Sequence, residues 1–218
     1  MIVCCPRCGG PVRGPNLSAS VWRCLTCGPV PPMHLPPHIG AEVLDSVIER
    51  VGEGPDRAPL WCPWPLPRGW TVTGTGWVGD PAGDVVATAV TCTGPSPLHA
   101  GPADMVLIAE EPGVGLGNRL AGLHGSDPSV VIGLPAGPVA PVRVRASGRD
   151  TPMWTVGDTP DRVSYVGEAR GRWLYVVALP ADAGYLLSEP VSLHDLCDGV
   201  PPELVYGAPS MVLHGRTI

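Results

Sequence analysis

The chain of 218 residues contains no lysine, no glutamine and no phenylalanine, and all 14 of its basic residues are arginine. Without lysine it cannot form a phosphate-binding loop that ends in lysine, a Schiff base or a lysine general base. No apolar run approaches the roughly 18 residues that span a bilayer. No basic segment followed by an apolar stretch marks a secretory signal. These absences predict a cytoplasmic protein with no membrane partner.

Glycine and proline are abundant, with 29 residues of each spread along the chain. Such a composition favours short strands and turns over long helices. Since hydrophobic residues make up 44% of the chain, a sizeable core is expected. The predicted fold class is mainly β or α+β. It has a small N-terminal zinc ribbon, then a mostly antiparallel β-rich domain with one amphipathic helix.

Charge is unevenly distributed along the chain. Residues 1–41 contain Arg7, Arg13 and Arg23 and no acidic residue, whereas the remainder holds 11 arginines and all 20 acidic residues. The first part therefore carries +3 and the rest −9. A protein that binds nucleic acid over a wide surface is basic overall, so only the first forty residues are suited to such a contact.

Four cysteines near the N-terminus are spaced as two CxxC pairs, Cys5 with Cys8 and Cys24 with Cys27. This spacing is typical of a four-thiolate zinc ribbon, since each CxxC turn places two sulfurs on one side of the backbone. The alternatives are a disulfide pair and an iron site of the rubredoxin type, which uses similar turns, so spacing alone does not exclude iron. Cys4 would make a looser turn with three intervening residues, and we predict that it is not a ligand.

Glycines follow the second ligand of each pair, at Gly9, Gly10 and Gly28. We expect positive φ angles there, because such angles let backbone N–H groups turn toward the sulfurs. A catalytic zinc keeps one position open for water, but four cysteines fill the shell. His34 and His38 would be fifth and sixth ligands. The metal is therefore predicted to be structural, and no residue is predicted to be catalytic.

The predicted organisation is a zinc ribbon at 1–30, a proline-rich linker at 31–38 and a β-rich domain at 39–218. Apolar residues recur at helical spacing over 39–51, which predicts one amphipathic helix. Alternating or apolar runs predict the strands of the larger domain. These predicted strands are 70–78, 85–93, 105–109, 139–146, 154–156, 163–169, 172–179, 185–187 and 204–206.

A glycine-rich loop follows the apolar strand 105–109. Such a layout is similar to a phosphate-cradling turn, although the glycines do not match the dinucleotide fingerprint. The alternative to a structural turn is an anion or nucleotide site, or a transferase-type enzyme, that uses this loop. Its predicted site residues are Glu110, Glu111, Gly113, Gly115, Gly117 and Arg119.

Four segments occur in order along the chain: CPRCGGPVRGP with VWRCLTCGPVPP, then WPLPRGW, EEPGVGLGNRLAG, and TPMWTV with GEARGRWLYVV. Together they resemble a family of uncharacterised actinobacterial proteins with an N-terminal zinc-ribbon-like head. The resemblance covers nearly the whole chain. It implies a cytoplasmic bacterial protein and brings no established activity or catalytic residue with it.

The leading functional hypothesis is a non-enzymatic adaptor or regulatory protein with a structural Zn²⁺. Its ribbon would present a basic face to an acidic protein or nucleic-acid partner. An anion-binding domain or enzyme at 110–119, and direct nucleic-acid contact through the ribbon, are the alternatives.

Overall fold

The structure, a computed structural model, describes residues 1–17, 20–128, 140 and 142–213. The chain is mostly β, built on a large antiparallel-rich sheet with few helices, as the sequence predicts. The helices are α1 (Ala41–Val51), α2 (Leu116–Leu120) and two 3-10 turns, Ala181–Leu187 and Leu196–Asp198. The strands are β1 (Ile2–Cys4), β2 (Val12–Arg13), β3 (Arg23–Cys24), β4 (Gly28–Pro29), β5 (Met33–Leu35), β6 (Trp61–Pro63), β7 (Thr71–Gly79), β8 (Val85–Pro95), β9 (Pro102–Glu110), β10 (Val142–Ala146), β11 (Arg149–Thr159), β12 (Arg162–Ala169), β13 (Arg172–Leu179) and β14 (Val191–Asp195).

Within the described parts of the chain, eleven strands form one sheet in the order β1-β5-β7-β8-β9-β13-β12-β11-β10-β14-β6, and β2-β3-β4 form a separate small sheet. Named strands pair antiparallel except β10 with β14. Short turns join β7 to β8 and β12 to β13, where Gly171 adopts a φ of 72°. The large sheet curls so that β6 also contacts β8 and β9. This curvature closes a core around the middle of the sheet.

Both faces of the central strands are buried. Along β9, Met105 and Leu107 face one apolar cluster, whereas Val106 and Ile108 face another. The first cluster includes Leu44 of α1, and the second includes residues of α2. A strand with both faces covered reads as a continuous apolar run rather than an alternation. The sheet therefore lies between α1, which packs on its first face, and α2, which packs on its second face.

Most of the predicted elements are present, with shifted ends. The helix begins at Ala41 rather than at 39, because extended Gly40 is its N-cap, and it buries Leu44, Val47 and Val51. Residues 139 and 141 of one predicted strand lie outside the described residues. The predicted strands at 185–187 and 204–206 are wrong. The first is part of a 3-10 turn, and in the second Tyr206 makes only an isolated bridge to Val72.

The segment predicted as a linker contains strand β5. Met33, His34 and Leu35 are buried, and β5 lies between β1 and β7 in the large sheet. Proline favours an extended backbone for itself and for the residue before it, which suits a strand as well as a linker. Consequently both chain ends of the cysteine-rich head, residues 5–30, continue directly into neighbouring strands of the main sheet.

No helix within the described parts of the chain combines the length and apolar character needed to cross a membrane.

Candidate metal centre

The four CxxC cysteines converge at the tip of the head. Their sulfurs all lie within 4.8 Å of one another, and the Sγ atoms of Cys8 and Cys24 are 3.5 Å apart. Cys5 and Cys8 belong to the turn after β1, Cys24 ends β3, and Cys27 lies in the turn before β4. Four converging thiols match the tetrahedral sulfur coordination of Zn²⁺ and of iron. The cluster can therefore hold one metal ion.

Backbone hydrogen bonds shape the first cysteine turn. The Gly9 amide donates to the Cys5 carbonyl oxygen at 2.8 Å, and the Cys5 amide donates to the Gly10 carbonyl oxygen at 2.8 Å. Gly9 has a φ of 71°, as predicted, but Gly10 is outside the left-handed region. Gly10 nevertheless donates its amide to Cys8 Sγ at 3.4 Å. The turn thus directs an N–H group at a sulfur without a positive φ at Gly10.

The second turn is supported by the small sheet. Gly28, with a φ of 78°, follows Cys27 and opens β4. Cys5, Cys24 and Val30 are the fully buried members of the cluster inside the head. Such a cluster buries little apolar surface, so this segment lacks a core of its own.

The surroundings of Cys24 lower the pKa of its thiol and so favour the thiolate form. Burial raises its pKa, but backbone amides of Cys27 and Thr26 and the thiols of Cys8 and Cys5 outweigh burial and lower the pKa to about 7. Burial raises the pKa of the Cys5 thiol. A metal ion that binds here displaces the remaining protons, because thiolates are the metal-binding form.

The other candidate ligands lie elsewhere. Cys4 is in β1 opposite Met33, where it packs in the main core and burial raises the pKa of its thiol. His34 is buried in β5, its ring stacks on Trp77 at 3.8 Å, and its Nε2 lies 3.1 Å from the Gly79 carbonyl oxygen. His38 is exposed. None of the three belongs to the sulfur cluster.

The glycine-rich loop is folded around the side chain of Glu110, which ends β9. Its Oε2 accepts hydrogen bonds from the amides of Leu116 at 2.8 Å and Gly117 at 3.1 Å. Oε1 has no hydrogen-bond partner among the described residues. Glu110 is fully buried, and this burial raises its pKa to about 7. The turn therefore does cradle a carboxylate, and that carboxylate belongs to the chain itself.

Gly117 brings α2 into direct contact with the sheet. A Cβ atom at this position would overlap the ring of Tyr175 in β13. The Tyr175 hydroxyl donates to Asn118 Oδ1 at 2.8 Å, so the ring has little freedom to move. Gly113 and Gly115 adopt φ angles of 88° and 85°, which side chains disfavour. These glycines have conformational and packing roles.

Gly117→Ala is expected to destabilise the protein by about 1–3 kcal/mol, because the added methyl overpacks a filled core. Gly83→Ala is the matched control, since a Cβ there makes only ordinary contacts in the turn before β8. Its expected effect is within about 0.5 kcal/mol. Urea unfolding followed by tryptophan fluorescence measures both. Equal midpoints for the two variants would contradict the tight contact.

Two arginines link the loop to the head in opposite directions. Arg119 Nε donates to the Pro6 carbonyl oxygen at 2.7 Å. Arg7 Nη2 donates to the Gly113 carbonyl oxygen at 2.8 Å, and its Nε donates to that of Val114 at 3.2 Å. These contacts place the loop against the first cysteine turn.

The remaining polar residue of the predicted anion site also has an internal contact. Glu111 Oε1 accepts a hydrogen bond from Arg172 Nη1 at 2.6 Å. The charged side chains of the loop, Glu110, Glu111 and Arg119, thus all make contacts within the chain. An anion or nucleotide site at 110–119 stays a prediction.

Arg13 and Arg23 occupy a different environment from Arg7. They lie directly opposite each other on β2 and β3, and both are exposed. None of the ion pairs among the described residues includes either of them. Like charges on directly opposed residues destabilise a sheet. The basic face that the sequence predicts is therefore reduced to this pair.

A buried ionic cluster was missed by sequence reasoning. Asp195 Oδ2 accepts from Arg57 Nη1 at 2.8 Å and also from Arg170, while Asp195 Oδ1 accepts the amides of Leu60 at 2.9 Å and Cys197 at 3.1 Å. A cavity of about 580 Å³ adjoins this cluster. The sequence contains one local signal for this cluster: an arginine, Arg170, stands before Gly171 in a hairpin turn that favours Asn or Gly. In the structure Arg170 adopts a φ of 55° there.

A family model described as a family of unknown function (DUF6758) matches residues 2–213. No curated protein matches the chain. No solved structure matches it either.

Proposed function

Since the chain belongs to this family of unknown function, DUF6758, its role has to be argued from its own residues, and we propose that it is a non-enzymatic, Zn²⁺-binding adaptor. In this proposal the metal folds the head, and Arg13 and Arg23 bind an acidic surface of a protein partner. Four cysteine ligands leave no open position for a substrate or water. The proposed metal is thus structural and the function is binding.

The observation that carries the proposal is the register of the small sheet. Arg13 and Arg23 are cross-strand partners, and both are exposed. Two exposed guanidinium groups on directly opposed residues repel each other, although solvent weakens the repulsion. A carboxylate placed between them removes the repulsion and forms charge-assisted hydrogen bonds with both. The pair is therefore suited to an acidic ligand.

A protein partner fits the head better than a nucleic acid. Leu17 and Leu25 are 109% and 77% exposed, so apolar side chains accompany the arginines on this small segment. Arginine next to exposed apolar residues is typical of protein interfaces. The remainder of the chain carries a net −9, which repels a polyanion. Two free arginines also give few phosphate contacts.

The double charge reversal Arg13→Glu with Arg23→Glu is expected to weaken binding of an acidic, leucine-containing peptide by at least about tenfold, since each exposed ion pair contributes about 0.2–1 kcal/mol and each reversal replaces an attraction with a repulsion. Arg145→Glu with Arg149→Glu, exposed positions on β10 and β11, makes the same charge change away from the head and is the control. Fluorescence anisotropy with the labelled peptide measures the affinities.

A single-stranded oligonucleotide of equal charge is the competing probe. Tighter binding of the oligonucleotide than of the peptide, with a steep dependence on salt, would replace the proposed protein partner with a nucleic acid. Equal losses in both double variants would show a general charge effect and would overturn the role of the head.

A further inference from the structure

The side chain of Arg119 projects from α2 and lies against the first cysteine turn of the head. Its Nε donates to the carbonyl oxygen of Pro6, which lies between the ligands Cys5 and Cys8. A Cβ atom built on Gly9 would come within 3.1 Å of Arg119 Nη1. The guanidinium group thus binds one end of the turn that presents the two sulfurs and lies close to the other end.

The charge of Arg119 has no carboxylate partner among the described residues. Arg119 is half-buried beside the first cysteine turn. Arginine remains protonated in proteins, and a cation that is partly removed from water is costly unless an anion is close. Neutral thiols do not supply that anion. Four thiolates around a divalent ion do, because the centre then carries a net charge of −2.

The position of Arg119 is fixed from the main sheet. The Glu110 carboxylate binds the amides at the start of α2, and Gly117 packs on Tyr175. From the head, Arg7 returns two hydrogen bonds to the carbonyl oxygens of residues 113 and 114. The first cysteine turn therefore rests on a rigid platform rather than on the rest of the head alone.

We propose that Arg119 is a positioning residue of the metal centre. It holds the turn of Cys5 and Cys8 in the ligating conformation, and it offsets part of the thiolate charge from outside the coordination shell. The inference deepens the proposed function, because it rests on the head binding Zn²⁺. Outer-shell groups of this kind typically change metal affinity by about 10–100-fold.

The test compares the Zn²⁺ affinity of three variants in competition with a chromophoric chelator. Arg119→Met keeps much of the side-chain volume and is expected to raise the dissociation constant about 10–100-fold. Arg119→Lys restores the charge without the guanidinium fork, so we expect partial recovery. Arg162→Met is the matched control. Arg162 Nη1 donates to the Leu120 carbonyl oxygen at 2.9 Å, at the end of α2, and its ion pair is with Asp161 rather than with the head.

The pH at which bound Co²⁺ is half released separates the effect of Arg119 on the thiolate charge from its effect on the conformation of the turn. Protons compete with the metal for thiolates, so loss of a neighbouring cation should raise this pH in Arg119→Met, and lysine should lower it again. A role in packing alone would weaken binding without rescue by lysine. The charge-transfer bands of the Co²⁺ protein report thiolate coordination, and near-ultraviolet circular dichroism reports the fold of the main sheet.

Arg119→Met with the affinity and pH profile of Arg162→Met would overturn the inference while leaving the metal site intact. Wild-type protein that takes up neither Zn²⁺ nor Co²⁺ would instead refute the proposed function itself. If Arg119→Met does not fold, Arg119→Lys decides: its half-release pH must lie above that of the wild type, because its contact with the turn is weaker, and an unchanged value overturns the proposal.

Discussion

Removal of the metal is expected to unfold residues 5–30 and to leave most of the large sheet folded. The cluster inside the head contains two valines, Val12 and Val30, besides its cysteines. Burial of these two side chains is too small to offset the entropy cost of ordering the backbone of the head. Metal ligation is therefore expected to be the main stabilising contribution, as in small zinc domains that are unfolded without the metal.

Unfolding after metal removal should not extend into the main sheet. β1 and β5 pair with each other, and β5 also pairs with β7, outside the head. Contacts across the boundary will weaken, including the hydrogen bond from Trp22 Nε1 to Asp80 Oδ2 at 2.9 Å. Hydrogen exchange by mass spectrometry, with and without a chelator, resolves the two regions. We expect fast exchange in head peptides and unchanged protection in β8, β9 and β13.

Elemental analysis supplies the stoichiometry, which we expect to be one Zn²⁺ per chain. Cys24→Ser should abolish metal retention and mimic the chelated state. Cys197→Ser changes a half-buried thiol far from the sulfur cluster and should keep the metal. Head peptides that stay protected after chelation, or carefully purified wild-type protein with neither zinc nor iron, would contradict the metal-dependent head.

Sequence patterns predicted the structural features whose contacting residues are close together along the chain. The CxxC spacing brings four sulfurs together, and the alternating runs of β7 with β8 and of β12 with β13 form hairpins across short turns. Helix α1 was visible from its apolar spacing. In each case the partners are near in sequence, so residue type and spacing determine the contact.

Contacts between distant segments were not predictable in this way. The hydrogen bond from Arg119 to Pro6 joins residues 113 positions apart, and that from Arg57 to Asp195 joins residues 138 positions apart. The glycine-rich loop shows the physical reason. Its amides favour an anion, as the pattern indicates, but the pattern does not say that Glu110 supplies one from within. Which group fills such a turn depends on the register of β9 in the sheet.

Glu110→Gln is expected to stabilise the protein by about 3 kcal/mol at pH 8, because it removes a buried charge without changing the shape of the side chain. Burial raises the pKa of Glu110 from 4.5 to about 7. Glutamine offers the same oxygen to the amides of Leu116 and Gly117, so the turn keeps its hydrogen bonds. Tyr175 interacts with this carboxyl, and burial and Glu110 raise the pKa of the Tyr175 hydroxyl.

The sign of the pH dependence follows from proton uptake. Between pH 4.5 and about 7, folded Glu110 holds its proton while the unfolded chain has lost it. Its contribution to stability is therefore complete below pH 4.5 and falls by about 1.4 kcal/mol for each pH unit until it levels off above the folded pKa. Burial lowers the pKa of His34, which costs stability in acid, but this effect is common to both proteins and cancels in their difference.

The measurement is the free energy of urea unfolding of the metal-loaded proteins from pH 5 to pH 8.5. We expect the advantage of Glu110→Gln over the wild type to grow steadily up to about pH 7 and then to level off. Glu168→Gln makes the same chemical change at an exposed site on β12, and its curve should overlay that of the wild type. If Glu110→Gln and Glu168→Gln run parallel across the range, then Glu110 carries no raised pKa, and the carboxylate within the turn is solvated or paired.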